Sequence, residues 1–201
     1  MGSIYELKPK FQNLLRPLVR MLASAGVTAN QVTVLAMLLS FVAGGLIVGF
    51  STQTWPLLCI PVVLFIRMAL NAIDGMLARE HDMKSPIGAI LNELGDVLSD
   101  TALYLPITLI DGVNAAWVVL VVLLAVISEM TGVIAVQIGA ERRYDGPMGK
   151  SDRAFLFGVV GLALGFGVNP QPWLDYLLIV TVLLLSITII NRSRKALEEI
   201  K

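Results

Sequence analysis

Asn71-Ala-Ile-Asp74-Gly75-Met-Leu-Ala78-Arg79 closes one apolar run of the chain, and Pro86-Ile-Gly88-Ala-Ile-Leu-Asn92-Glu93-Leu-Gly95-Asp96-Val-Leu-Ser99-Asp100 opens the next. Helical spacing stacks Arg67, Asn71, Asp74 and Ala78 on one face of the first segment. The same spacing puts Asn92, Asp96 and Asp100 on one face of the second. The break between them is short, so the helices are expected to be antiparallel neighbours whose polar faces meet. At about 1.5 Å per residue, Asp74 lies a turn or two inside its run and Asp96 about 15 Å deep. So many polar groups in an apolar setting are costly without compensation. A hard divalent cation held by carboxylate and amide oxygens compensates them, and Mg²⁺ or Mn²⁺ suits such donors. Two ions about 4 Å apart would also suit phosphoryl chemistry, neutralising a diphosphate and its leaving oxygen. Gly75, Gly88 and Gly95 each cost a helix interior about 1 kcal/mol. They are expected either to let helices approach or to leave room for ligand, Gly75 the latter.

The rest of the chain is the setting this pair requires. Of 201 residues, 56% are hydrophobic and only 15% charged, and the mean hydropathy is +0.79. A soluble domain would need more charge to keep its surface wet. Val32–Gly49, Trp55–Ala72 and Trp173–Ile190 are each close to the roughly 20 apolar residues of a spanning helix. The expected fold is an all-α integral membrane protein, one domain over residues 1–201. It has an amphipathic N-terminal interfacial helix over 4–25 and a six-helix transmembrane bundle over 31–192. The six spans are placed at 31–50, 56–79, 87–110, 114–138, 153–168 and 172–192, with Thr28-Ala29-Asn30 capping the first. In the interfacial helix Tyr5, Phe11, Leu14, Leu15, Leu18 and Leu22 recur at helical spacing, with Lys8, Lys10, Arg16 and Arg20 elsewhere.

Every Lys and Arg except Arg67 falls in the N-terminal helix, the 79–86 and 140–153 segments, or the tail from Arg192. The positive-inside rule then puts both termini and the polar cluster on the cytoplasmic side of the cell membrane. Trp55, Trp117 and Trp173 all fall near the opposite ends of their spans. Arg67, inside the second span, needs a partner, and Glu129 or Asp74 is expected to supply it. Charges gathered at one end of the bundle argue against a transport path across it. The formal net charge of +0 says little beside this distribution, and no nucleic-acid partner is expected. No cleavable leader is expected, and Cys59, the single cysteine, is read as packing.

The quoted stretch resembles the signature of the CDP-alcohol phosphotransferase (phosphatidyltransferase) family, in which D-x2-D-G-x2-A-R is followed after eight residues by G-x3-D-x3-D. Asn71 stands at the first acidic position, Asp74-Gly75 at the second with its glycine, and Ala78-Arg79 at the AR pair. Gly88, Asn92 and Asp96 complete the match. The resemblance implies a homodimeric membrane enzyme of phospholipid biosynthesis. Such an enzyme transfers a phosphatidyl group from a CDP-lipid such as CDP-diacylglycerol to the hydroxyl of a small alcohol, releasing CMP. It also implies that Asp96 is the general base. Asp74, Asn71, Asn92 and Asp96 would hold one or two Mg²⁺ or Mn²⁺ ions, and Asp74, Gly75, Ala78, Arg79 and Gly88 would contact the CDP-lipid. This sequence departs from the signature at Asn71 and Asn92, which keep an oxygen donor but drop two negative charges. Asp100, one turn deeper, or Glu93 is expected to restore some. The alternative these departures raise is a non-enzymatic CDP-lipid or metal-binding protein. On the acceptor side, Lys150, Arg153 and Arg192 are expected to bind the phosphate of an acceptor such as glycerol 3-phosphate. Arg142 and Arg143 are read as topology-setting charges, and His81 as a solvated loop residue.

Overall fold

Local caps, breaks and small-residue stripes divide the chain into helices. The structure, a computed structural model, describes residues 4–201, with side-chain surroundings from Pro9 onward, so the expectations for the Tyr5 and Lys8 side chains lie outside the described residues. Helix α1 runs Ile4–Ser24. It ends where Gly26 turns to a φ of +77° and Val27 N–H reaches back to the Leu22 carbonyl at 3.0 Å. Thr28 then caps α2 (Ala29–Gly49) in a capping box with Gln31. A 3-10 turn over Trp55–Leu58 leads into α3 (Cys59–Glu80). Ser85 caps α4 (Pro86–Tyr104), with Pro86 at its first position, and a second 3-10 turn spans Leu105–Leu109. Asn114 caps α5 (Ala115–Gln137). Helices α6 (Lys150–Gly165) and α7 (Trp173–Glu199) complete the described chain.

The described residues are all helical apart from turns and loops, as expected, and seven α-helices replace the interfacial helix and six spans. The six-span expectation is met on length and apolarity by four segments: Ala29–Gly49, Trp55–Glu80, Ala115–Gln137 and Trp173–Glu199. The other two segments fall short for identifiable reasons. Helix α4 carries Glu93, Asp96 and Asp100 and gives way to a 3-10 turn before residue 110. Helix α6 has 16 residues, or about 24 Å, against a hydrocarbon core of about 30 Å. It also begins at Lys150, three residues earlier than expected, because Asp152 accepts a hydrogen bond from Gly149 N–H at 2.9 Å.

Helix α2 packs against both α3 and α4 through a stripe of small residues, Ala29, Ala36, Ser40, Ala43 and Gly44. At Gly44 the approach to α4 is so close that a Cβ would lie 2.0 Å from the Ala102 carbonyl oxygen. Helix α6 lies against α3, and α5 against α7. The main core is apolar and includes Ile47, Leu57, Ile60, Leu103, Val121 and Leu178, with Tyr104 stacked on Phe157 at a centroid distance of 3.9 Å. A second cluster joins α1 to α3 through Val19, Ile73, Met76 and Leu77. There α1 turns Leu15, Val19 and Leu22 inward, while Leu14 and Met21 remain exposed. Arg16 fixes the end of α3 by two hydrogen bonds to Glu80 at 3.0 and 3.2 Å. The outside of the bundle is itself apolar, with Leu38, Val42, Phe65, Leu123 and Leu183 all more than half exposed. Such a surface suits lipid rather than water, and the protein is a membrane protein.

Candidate active site

The two polar faces read from helical spacing do meet. Asn71 Nδ2 donates to Asp96 Oδ1 at 3.5 Å, linking α3 to α4. Arg67 Nη1 donates to Asp100 Oδ1 at 3.0 Å, and Arg67 Nη2 lies 3.9 Å from Asp96 Oδ1. The partner expected for Arg67 was Glu129 or Asp74; Asp100 takes that place, because it faces Arg67 directly from α4. Lys150, in the first turn of α6, makes an ion pair with the same Asp96 Oδ1. Asp74 is buried and accepts a hydrogen bond from Thr33 Oγ1 at 2.7 Å. It lies within electrostatic range of Asp96 and Lys150. Thr33 thus belongs to the site. The sequence marks it only by position, one turn after the Thr28-Ala29-Asn30 segment.

Behind this cluster the charges form a continuous chain. Arg153 Nη2 donates to Asp100 Oδ2 at 3.2 Å and to Glu129 Oε1 at 3.0 Å. Glu129 also receives Arg142 Nη2 at 3.1 Å and lies 3.3 Å from Arg192 Nη1. Arg142 goes on to bind both oxygens of Glu93. Burial opposes the Arg142 charge, but its hydrogen bonds to Glu93 and Glu129 hold the guanidinium above its usual pKa range. Buried charges must be paired, and five helices contribute to the pairing here. Asp100, expected among the metal ligands, has both oxygens on arginines. Arg153 and Arg192, expected on an acceptor phosphate, are buried, their guanidiniums held by Asp100, Glu129 and backbone carbonyls. Of that trio Lys150 alone is partly exposed. Arg142, expected to set topology, lies inside the network instead.

Two cavities meet at Lys150 and Ser151, beside Asp96. A groove of about 500 Å³ runs between α3 and α6, lined by Leu64, Phe65, Met68, Phe155 and Leu162, with Arg67, Asn71, Asp100 and Lys150 at its polar end. A polar cavity of about 350 Å³ is lined by Asn92, Glu93, Asp96, Tyr144, Lys150 and Ser151. The loop over residues 138–149 borders this cavity. It is tied down by Arg143 to Asp145 at 3.0 Å and to Glu199, and by Lys195 to Asp145 at 2.6 Å. The hydrogen bond from Lys195, aided by Arg143, holds the Asp145 carboxyl below its usual range.

The glycines divide between packing and ligand space. At Gly88 a Cβ would lie 2.6 Å from Asn30 Oδ1, so the protein's own carboxamide fills that place. Asn30 also donates to Ser85 Oγ at 3.3 Å. Above Gly75 lies the Arg79 guanidinium, Nη2 being 3.0 Å from where a Cβ would be. Arg79 is exposed and has no ion-pair partner among the described residues.

A model described as CDP-alcohol phosphatidyltransferase matches residues 26–190. The chain belongs to the CDP-alcohol phosphatidyltransferase family. The family's members are enzymes that transfer phosphatidyl groups. The chain is 46% identical over 195 residues to the inner membrane protein YnbA of Escherichia coli strain K12, covering 97% of this chain and 96% of that protein. It is 29% identical over 104 residues to the archaetidylinositol phosphate synthase of Pyrococcus horikoshii, covering 52% of this chain and 53% of that one. Among solved structures, the phosphatidylinositol phosphate synthase of Mycobacterium tuberculosis with manganese and citrate superposes with a TM-score of 0.72 at 20% identity. That match covers 90% of this chain and 87% of that one. The same synthase with CDP-DAG bound gives 0.69 at 19% identity, covering 92% of both chains.

For a CDP-alcohol phosphatidyltransferase the donor set raises the question of metal. Asp74, Asp96, Asn71 and Asn92 offer hard oxygen donors from adjacent helix faces, a chemistry that fits Mg²⁺ or Mn²⁺. Only two of the four are charged, and no three His, Cys, Asp or Glu side chains gather as a metal cluster among the described residues. The donors therefore fit a divalent ion.

Proposed function

We propose that this chain transfers a phosphatidyl group from CDP-diacylglycerol to a hydroxyl of a small polar alcohol, releasing CMP. The observation that carries the reading is the meeting of an apolar groove and a polar cavity at Lys150 and Ser151, with Asn71 at the groove's end bonded to Asp96 in the cavity wall. Acyl chains suit the groove between α3 and α6, and a water-soluble acceptor suits the cavity beside Glu93 and Ser151. Support also comes from the relatives, one of them an archaetidylinositol phosphate synthase and one solved with CDP-DAG. The acceptor is chosen by the cavity lining, and glycerol 3-phosphate is one alcohol of suitable size.

Asp96 is the proposed base. Lys150, Asn71 and Arg67 all approach its Oδ1, and Oδ2 has no hydrogen-bond partner among the described residues. Oδ2 would take the acceptor's hydroxyl proton as the hydroxyl oxygen forms a bond to the lipid-bearing phosphorus. The anhydride P–O bond breaks and its electron pair leaves with CMP. Arg79 would hold the diphosphate, with Gly75 and Ala78 leaving it access. Asp74 and the Asn71 and Asn92 amide oxygens, beside Asp96, would hold a divalent ion that would supply charge neutralisation at the diphosphate. Thr33 would orient Asp74 as it does here. The paired Arg67, Asp100, Arg153 and Glu129 would keep Asp96 in register. By the distribution of Lys and Arg, the site opens on the cytoplasmic side of the cell membrane.

The test is CMP release by purified protein in detergent, with CDP-diacylglycerol, Mg²⁺ or Mn²⁺, and a panel of glycerol, glycerol 3-phosphate, inositol, inositol phosphate and serine. Metal-dependent release with one acceptor, reduced at least about 100-fold in Asp96→Asn with CDP-lipid binding retained, supports the reading. A second reading, a binding protein without turnover, is favoured by the ammonium of Lys150 resting on the proposed base. Tight CDP-lipid binding with no CMP from any acceptor would select it.

A further inference from the structure

We propose that the Lys150 ammonium is a built-in second cation of this site, so that the chain takes one divalent ion rather than two. The inference rests on the phosphatidyl-transfer reading above. Lys150 reaches Asp96 Oδ1 from the first turn of α6, and Arg67 and Asn71 approach the same oxygen at 3.9 and 3.5 Å. Any ion seated on that oxygen would have to displace an ammonium held by its own helix. The carboxylates Asp74 and Asp96 sum to two negative charges, which one divalent ion cancels. Asp100 adds nothing to that sum, because Arg67 and Arg153 already hold its two oxygens. A diphosphate entering the site brings about two further charges, which Lys150 and Arg79, with no ion-pair partner among the described residues, match. A second divalent ion would leave two uncompensated positive charges in a half-buried site, where like charges a few ångströms apart repel strongly. Asn71 and Asn92, as neutral amides, add no negative charge to offset it.

Mn²⁺ stoichiometry in detergent, with CDP as the diphosphate probe, tests this by loss of the free-ion EPR signal. The wild type is expected to bind one Mn²⁺ per chain, and the triple variant Asn71→Asp, Asn92→Asp, Lys150→Met two, with the spectral broadening of a close ion pair. Without CDP, Lys150→Met removes a positive charge beside the ion and is expected to tighten Mn²⁺ about tenfold or more, while Lys150→Arg leaves it near the wild-type value. Two Mn²⁺ per wild-type chain, or unchanged Mn²⁺ affinity in a folded Lys150→Met, would overturn the proposal. A wild type that binds two ions and releases CMP overturns this inference alone. One that binds no ion and releases no CMP overturns the reading beneath it.

Discussion

Glu129 holds Arg142, Arg153 and Arg192 against one carboxylate in an otherwise apolar helix. Removing one partner from a buried ion network leaves the others uncompensated, at about 3–5 kcal/mol. Glu129→Gln is therefore expected to lower unfolding stability by that amount, read from denaturant titration in detergent. An unchanged midpoint would mean that the arginines find other partners. Thr33 makes a finer test, since its hydroxyl bonds the buried Asp74. Thr33→Val should weaken Mn²⁺-dependent CDP binding about tenfold or more without unfolding the protein. Residue by residue, the sequence was legible where one helix face decides. Arg67 and Asn71 do face Asp96 and Asp100, as i+4 spacing requires. It was not legible where a third element decides. Asp100 looked like a metal ligand because nothing local reveals that α6 delivers Arg153 to its second oxygen. Glu129 and Arg142 join only through the fold of the 138–149 loop.

Among the elements, α2 is the one whose position the site depends on. It carries Thr33 against Asp74 on α3, and its Gly44 meets the Ala102 carbonyl of α4. Gly44→Val should separate α2 from α4, with a loss of about 1–3 kcal/mol and a fall in CMP release as Asp96 shifts. Gly45→Val is the control, because nothing lies within 4 Å of a Cβ there. Equal behaviour of the two variants would remove the helix contact as the cause. Helix starts were readable from Thr28, Ser85-Pro86 and Asn114, whose side chains or rings act within one turn. Where α4 stops was not, since the 3-10 turn at Leu105–Leu109 continues the same apolar pattern. The stripe Gly158, Gly161, Gly165 on α6 packs against Pro61, Ile60 and Leu58. Composition alone does not tell such a stripe from ligand space.

For the molecule as a whole, the polar end is closed by ion pairs between the 138–149 loop and α7. Asp145, held below its usual range by Lys195 and Arg143, contributes to that closure above its unfolded pKa of about 4. The contribution is lost as pH falls through its lowered folded value. Hydrogen-exchange protection over residues 141–149, corrected for the intrinsic pH dependence of exchange, should be high at neutral pH and fall below about pH 4. Lys195→Ala should bring faster exchange already at neutral pH. Identical protection in that variant would place the closure elsewhere.

The groove between α3 and α6 has its rim on the outside of the bundle, where Phe65, Met68 and Phe155 are more than half exposed. A substrate entering there arrives by two-dimensional diffusion within the lipid layer, while the acceptor arrives from water. The velocity of such an enzyme follows the mole fraction of CDP-diacylglycerol in its micelle or bilayer rather than its bulk concentration. Adding inert detergent at constant donor should therefore slow CMP release in proportion to surface dilution, and leave the acceptor's half-saturating concentration unchanged.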